Sequence, residues 1–223
     1  MASKKTVTKT PKAQVVAQSN NKTTKPLKWI EIEKTLDYLE KKEKWHELLI
    51  IAVGCYTGFR INELLILTYL DFEGEEINMI VSKQNKKDKR GKGKKDIIRT
   101  VPIYSKVKDI VELCRTKLNK KKDTPLIVNS RYYSETPLTR MAALTRIVNA
   151  FSLAGIERKM LSAHSLRKTY ALRKYEVYKK KYGDYAALNK VRKDLRHKSV
   201  SATREYIGIP ESDEKELDEI AFN

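Results

Sequence analysis

The sequence contains no long hydrophobic run and only two cysteines. Its longest apolar stretch, Leu48 to Tyr56, is about half as long as a membrane-spanning helix. No apolar core follows the basic N-terminus, as it would in a secretory signal peptide. Cys55 and Cys114 lack the spacing of metal ligands and are predicted to be small apolar residues in a reduced compartment. These absences predict an intracellular, cytoplasmic protein without a membrane partner.

Acidic residues are scarce: 28 Asp and Glu stand against 47 Lys and Arg, a formal net charge of +19 over 223 residues. Such a surplus favours a polyanionic partner, although charge alone does not separate DNA from RNA, a ribosome or an anionic membrane. Residues 1–27 contain no acid and predict a flexible basic arm, which is either a solvated tail or part of a grip on nucleic acid. Residues 211–223 form an acidic tail, either solvated or docked on a neighbouring protomer.

The hydrophobic rhythm predicts a mostly α-helical fold with a small antiparallel β-sheet, an α+β arrangement. Two extended runs, 77–81 and 97–103, flank a basic hairpin loop that contains eight Lys or Arg residues. The remaining periodic segments predict helices, among them one over residues 60–67. Gly155 and Ser199 are predicted to cap two of the later helices.

Four short segments stand out, and each taken singly has a bland explanation. They are Thr57-Gly58-Phe59-Arg60-Ile61-Asn62-Glu63-Leu64, Ile80-Val81-Ser82-Lys83, His164-Ser165-Leu166-Arg167-Lys168-Thr169, and Leu195-Arg196-His197-Lys198-Ser199 with Thr203 and Tyr206. Together they are specific, because two of the three histidines of the chain fall in them. His164 lies three residues before Arg167, on the same helical face.

These segments resemble the tyrosine recombinase family, which includes phage integrases, over roughly residues 30–210. The resemblance implies the catalytic-domain fold of DNA breaking-rejoining enzymes over residues 28–210. Lys168 stands where the family often has histidine, and Arg196 replaces the glycine of Leu-Gly-His. The stretch from Arg167 to His197 is longer than usual. The sequence predicts that the helical core-binding domain of this family is absent.

The resemblance assigns a catalytic set to this chain: Arg60, Lys83, His164, Arg167, His197 and Tyr206. Guanidinium groups suit a pentacoordinate phosphorus because they are planar, always charged and bidentate. Tyr206 is the expected nucleophile and Lys83 the expected proton donor to the leaving oxygen, with Lys86, Lys94 and Lys95 as alternatives. Glu63 is expected to support Arg60, unless it is an ordinary surface ion pair. The residues expected to contact DNA are Lys86, Lys87, Lys89, Arg90, Lys92, Lys94, Lys95 and Arg196.

The implied function is site-specific DNA recombination through a 3′-phosphotyrosyl intermediate, without a metal ion, ATP or any other cofactor. The sequence agrees in having no phosphate-loop glycine motif. The implied partners are double-stranded DNA with recombination sites, a homotetramer assembled on that DNA, and accessory DNA-bending or excisionase proteins. Two alternatives stay open: a type IB topoisomerase-like enzyme, and an inactive integrase-derived DNA-binding protein.

Overall fold

The computed structural model describes residues 24–80, 98–129, 135–156 and 161–210. Within these ranges the chain forms eight α-helices, one short 3₁₀ helix and one two-stranded sheet. The elements are α1 (Trp29–Lys41), α2 (Trp45–Thr57), α3 (Ile61–Leu64), the 3₁₀ helix (Leu70–Phe72), β1 (Glu76–Ile80), β2 (Ile98–Pro102), α4 (Ser105–Lys117), α5 (Arg140–Leu153), α6 (Ala163–Tyr182), α7 (Asp184–Leu195) and α8 (Val200–Ile207). No helix in the described ranges is both long and apolar enough to cross a membrane. The predicted α+β class is confirmed.

Helix α2 is the centre of the main core. Its residues from Leu48 to Cys55 are all buried, as expected of a helix that is apolar on every side. It packs against α1, α4, α5 and α6, and the Cys55 and Cys114 thiols are free and buried in the same core. The longest apolar run of the sequence is therefore the central core helix.

Helix α6 joins the main core to a second, smaller core formed with α7 and α8. Leu166 belongs to the first core, whereas Tyr170 and Tyr175 pack with Leu188 and Val191 of α7 in the second. Between the two cores the helix buries four polar residues, Ser165, Arg167, Lys168 and Thr169. Because a buried polar group needs a hydrogen-bond partner, these buried polar residues indicate a site with a role beyond packing.

The sheet presents one buried face to the core. Strands β1 and β2 are antiparallel, with Ile77 opposite Val101 and Met79 opposite Arg99. These four residues are buried and their neighbours along each strand are exposed, which is the alternation expected of a half-buried strand. An arginine therefore lies at a position where the strand pattern calls for an apolar residue.

The predicted helix over residues 60–67 is wrong at its end, because α3 stops at Leu64. The next residues pair instead with a distant segment: the Leu126 amide donates to the Leu67 carbonyl at 2.8 Å, and Thr68 forms a β-bridge with Pro125. The Leu67 amide donates to the Leu64 carbonyl, three residues back, at 3.4 Å, so the spacing of four residues that defines an α-helix has ended by this point. The predicted caps are confirmed, since Ser199 accepts from the Ala202 amide and Gly155 follows α5 with φ +74°.

Gly58 ends α2 in the left-handed conformation, with φ +60°. A Cβ atom added there would lie 2.4 Å from the ring of Tyr170. Glycine is therefore required twice over, for the backbone angle and for the close approach of the α6 aromatic ring.

We expect Gly58→Ala to destabilise the protein more than Gly155→Ala, because Gly155 has a similar φ of +74° but nothing within 4 Å of its added Cβ. The left-handed angle costs about 1–2 kcal/mol at either position, and the clash with Tyr170 adds about 1–3 kcal/mol at Gly58. Urea unfolding of both variants measures the difference. Equal losses would contradict the packing of Tyr170 against Gly58.

Candidate active site

Arg60 is held in place by Glu63. The turn after Gly58 makes Arg60 the residue that precedes α3, where its backbone amide donates to the Glu63 carboxylate at 2.8 Å. The Arg60 guanidinium donates to the other oxygen of the same carboxylate at 3.0 Å. The Glu63 side chain is only 6% exposed, whereas that of Arg60 is 27% exposed. The pair is thus partly buried and orients Arg60 towards solvent with N–H groups left for a ligand.

Arg167 lies almost wholly buried between the two cores. Its guanidinium donates to the Gly58 carbonyl and, at 3.1 Å, to the Leu195 carbonyl. Burial first, and then the nearby charges of Arg99 and Arg60, lower the pKa of Arg167 to about 10. Arg167 forms no ion pair with any residue that the structure describes. Because an unpaired buried charge is costly, this position suits an anionic ligand.

Arg99 of β2 is a second buried arginine of the site, and the sequence reasoning missed it. Its guanidinium donates to the carbonyls of Thr57 at 2.9 Å, Gly58 at 3.2 Å and Asp194 at 3.2 Å. Burial lowers its pKa as well. The signal was present in the strand pattern, because Arg99 shares the inward face with Val101.

Tyr206, on α8, packs its ring against the ring of His197. The ring centroids are 4.8 Å apart and the planes meet at 73°. The Tyr206 hydroxyl is buried and makes no hydrogen bond within the described part of the chain. Burial raises the pKa of Tyr206, while Arg167 and Arg60 act in the opposite direction. The phenol oxygen is therefore close enough to both arginines to respond to their charge.

The tautomer of His197 follows from Thr203. The Thr203 hydroxyl lies 3.1 Å from the Ser199 carbonyl, which can only accept, and 3.1 Å from Nδ1 of His197. Both contacts are satisfied when the hydroxyl donates to Ser199 and Nδ1–H donates to the hydroxyl. Burial, with Arg167 and Arg60, lowers the pKa of His197 to about 4. His197 is therefore neutral at pH 7, and its Nε2 lone pair is left for chemistry.

Lys168 also touches the tyrosine, although the sequence reasoning placed it outside the catalytic set. Its ammonium group lies 5.1 Å from the centroid of the Tyr206 ring, within cation–π range. The side chain is 8% exposed, and burial lowers its pKa. The ammonium group of Lys168 thus contacts the ring of Tyr206, the expected nucleophile.

His164 lies at the edge of the site rather than in its buried centre. It is exposed in the first turn of α6, where its backbone amide donates to the Ser162 hydroxyl at 3.1 Å. It lines a surface cavity of about 490 Å³ together with Ile61, the residue after Arg60, and with Arg140 and Met141 of α5.

The basic hairpin loop lies outside the described residues. This applies to Lys83 and to the expected DNA contacts Lys86, Lys87, Lys89, Arg90, Lys92, Lys94 and Lys95. Arg196 is described: it ends α7 in the left-handed conformation with φ 58°, and its guanidinium donates to the Ile98 carbonyl. Its expected contact with DNA stays a prediction, as do the roles assigned to residues 1–27 and 211–223.

The depressed pKa of His197 makes stability depend on pH. In the unfolded chain this histidine titrates near 6.5, so between about pH 4 and 6.5 the unfolded state binds more protons and stability falls as the pH is lowered. His46 contributes in the same sense, since burial lowers its pKa to about 4. We expect His197→Gln to remove about half of the decrease in unfolding free energy that these two histidines cause as the pH is lowered.

Urea unfolding at pH 5 and pH 6.5 avoids most of the carboxylate titration. His46→Gln is the matched control outside the site, and the double variant should lose nearly all of the histidine part. A pH dependence of His197→Gln that equals that of the wild type would show that His197 is not held neutral.

The profile of the Phage integrase family matches residues 26–211, most of the chain. Among solved structures, XerA recombinase is similar with a TM-score of 0.60 and 21% identity, over 98% of this chain and 68% of that one. XerH site-specific recombinase bound to a palindromic difH substrate is similar with a TM-score of 0.57 and 24% identity, over 92% of this chain and 55% of that one.

A lambda integrase dimer bound to a COC′ core site is similar with a TM-score of 0.55 and 18% identity, over 82% of this chain and 59% of that one. The chain thus spans between about half and two thirds of these recombinases. A comparison with curated proteins finds no match. The structural likenesses show the shared fold, and the family match covers each of the segments singled out in the sequence: this chain belongs to the phage integrase family.

Proposed function

We propose that the protein is a site-specific DNA recombinase that cuts and rejoins DNA through a covalent bond between Tyr206 and a 3′ phosphate. The observation that carries the proposal is the excess of positive charge around the Tyr206 hydroxyl. Arg60, Arg99 and Arg167 all influence its pKa, and of these Arg60 alone contacts a carboxylate among the described residues. A phosphodiester entering the site would supply the missing negative charge.

Cleavage begins when the Tyr206 oxygen attacks phosphorus. A bond forms between that oxygen and phosphorus, the bond from phosphorus to the 5′ oxygen breaks, the phenol gives up its proton, and the 5′ oxygen takes one. Arg60 and Arg167 bind the non-bridging oxygens, whose charge grows in the transition state. Burial keeps the pKa of Tyr206 above its ordinary value and the arginine charges offset only part of that rise, so a general base has to take the phenol proton as the oxygen attacks.

The histidines and the hairpin lysine have the remaining roles in this proposal. His164, at the open side, accepts the phenol proton or donates to the phosphate. His197 is neutral in the free protein, and the negative charge of a phosphate favours its protonated form, which can donate to the same phosphate. Lys83 protonates the leaving 5′ oxygen. A 5′ hydroxyl of another strand then attacks the phosphotyrosine, which restores the phenol and rejoins the DNA.

The proposed partners are duplex DNA with paired recombination sites and further copies of the chain, in a tetramer on that DNA. Accessory DNA-bending or excisionase proteins belong to the same proposal. The structures of XerH and lambda integrase are complexes with DNA sites, which supports a DNA partner here. A core-binding domain is not among the described parts of this chain, so the proposal places part of the DNA grip on residues 1–27 and on the hairpin loop.

Tyr206→Phe should abolish covalent attachment to DNA, because phenylalanine has no oxygen to attack phosphorus. We expect the wild type to form an adduct with a pool of labelled nicked duplexes, which trap the intermediate when the short 5′ fragment diffuses away. The measurement is a denaturing gel. Tyr185→Phe is the matched control, since Tyr185 is 70% exposed and lies in α7, and it should keep full activity.

An adduct that survives in Tyr206→Phe would move the nucleophile to another tyrosine, such as Tyr170 or Tyr175. No wild-type adduct with any duplex would favour a non-catalytic DNA-binding protein. Adducts combined with relaxation of supercoiled DNA that needs no preferred site would favour the topoisomerase-like alternative.

Binding to duplex DNA should weaken steeply with salt, because lysine and arginine contacts to phosphates release counterions. Six to ten such contacts would lower the affinity by about 10³- to 10⁵-fold between roughly 50 and 200 mM salt. We expect Lys86→Gln with Lys87→Gln to reduce the slope of log K against log salt by about 0.9 for each lost contact. Fluorescence anisotropy of a labelled duplex measures it.

The matched control neutralises Lys41 and Lys42, two exposed lysines at the far end of α1, and should leave the slope unchanged. Equal slopes in both double variants would remove the hairpin loop from the DNA grip.

A further inference from the structure

Arg99 and Arg167 donate hydrogen bonds to carbonyls of the same two backbone turns, one at residues 57–58 and the other at residues 194–195. Arg99 donates to Thr57 and Gly58 at the first turn and to Asp194 at the second. Arg167 donates to the same Gly58 carbonyl and to Leu195. The Thr57–Gly58 segment lies two residues before Arg60, and the Asp194–Leu195 segment lies two residues before His197. Two groups of the proposed reaction are thus set by backbone segments that Arg99 ties together.

We propose that Arg99 is a positioning residue of the active site, which holds Arg60 and His197 in register around Arg167. The inference rests on the proposed function and adds a third arginine to it. Arg99 does not need to touch the phosphate. It acts through the Thr57–Gly58 and Asp194–Leu195 turns and through its charge.

The shape of the guanidinium explains why arginine stands at this position. Its Nε, Nη1 and Nη2 donate in one plane to three carbonyls from two separate segments, which the single ammonium of a lysine cannot do. The guanidinium is also held by rings, with its carbon 5.0 Å from the centroid of Phe59 and 5.8 Å from that of Tyr170. The geometry leaves Arg99 little freedom, so the turns that it binds are equally restricted.

Arg99 also connects the site to the β-hairpin. It lies in β2 opposite Met79 of β1, and β1 ends at Ile80, three residues before Lys83. A displacement of strand β2 would therefore be transmitted to the Gly58 carbonyl through the hydrogen bond from Arg99.

A charge at this position is more than a means of joining two turns. A neutral donor would avoid the cost of burying a guanidinium with no carboxylate bound to it among the described residues. The two acids that act on Arg99, Glu63 and Asp194, are paired with Arg60 at 3.0 Å and with Lys174 at 2.6 Å. The charge of Arg99 lowers the pKa of Arg167 and that of Tyr206. Arg99 therefore acts on the two groups closest to the reacting phosphate.

The test compares Arg99→Lys and Arg99→Gln with the wild type and with Arg146→Gln. Arg146 is the control, because it is a half-buried arginine that also donates to a backbone carbonyl, that of Val128 at 3.1 Å, away from the site. The readouts are the single-turnover rate of adduct formation on saturating nicked duplex, its pH profile, duplex affinity and thermal unfolding.

We expect both Arg99 variants to fold and to bind the duplex within about threefold of the wild type. Arg99 does not need to touch DNA, and half or more of all protein–DNA hydrogen bonds go to phosphates and sugars of the DNA backbone, which other residues contact. Their adduct rates should fall by about 10- to 100-fold, as for small displacements of reacting groups. Arg99→Lys keeps the charge and should keep the wild-type pH profile. Arg99→Gln should shift the rise of the rate to higher pH, because the pKa of Tyr206 increases. Arg146→Gln should keep the wild-type rate and profile.

Several results would overturn the inference. Adduct rates near that of the wild type in both Arg99 variants would do so. So would a loss of adduct rate that is fully explained by the fraction of unfolded protein, as judged by the relation between rate and unfolding in Arg146→Gln. Failure of both variants to fold would make Arg99 a residue of the fold instead. A wild type that forms no adduct would overturn the proposed function and this inference together, whereas active Arg99 variants beside an active wild type overturn the inference alone.

Discussion

The carbonyl oxygen of Gly58 accepts hydrogen bonds from two buried arginines, Arg99 and Arg167, and the rest of the site is arranged around it. The left-handed turn at Gly58 directs this carbonyl inward at the end of the central core helix. Tyr170 packs so closely against the glycine that no side chain fits there. The rigid core thus fixes a single oxygen atom, and that atom locates two guanidinium groups from a strand and a distant helix.

Positive charge is concentrated where the two cores meet, and the described side chains compensate only part of it. Glu63 neutralises Arg60, while backbone carbonyls solvate Arg99 and Arg167 without cancelling their charge. Carbonyl dipoles reduce the cost of desolvation but leave a net field, which is stronger in a poorly solvated site than in water. Such a field is prearranged for an anion and requires little reorganisation when the anion arrives.

The long α6–α7 hairpin explains how residues far apart in sequence meet at this field. Helix α6 begins at the site and runs away from it over 20 residues, and α7 returns so that His197 lies just after its end. Asp184 ties the tip of the hairpin to α8 through Arg204 at 2.7 Å. The segment between Arg167 and His197 thus supplies most of the buried residues of the second core.

The sequence by itself determined the family, the α+β class and most of the helices, because those signals are local motifs and hydrophobic periods, and the same motifs predicted Arg60, Arg167, His197 and Tyr206 as one group. Only the tertiary structure revealed Arg99 and Lys168 beside that group, since their importance comes from which carbonyls and rings they meet across the fold. The early end of α3 was likewise visible only in the tertiary structure, in which the residues that follow it pair with the segment around Leu126. Long-range contacts of this kind leave no periodic trace in the chain, whereas an arginine or lysine buried by them looks, in sequence, like any other basic residue of a chain with 47 of them.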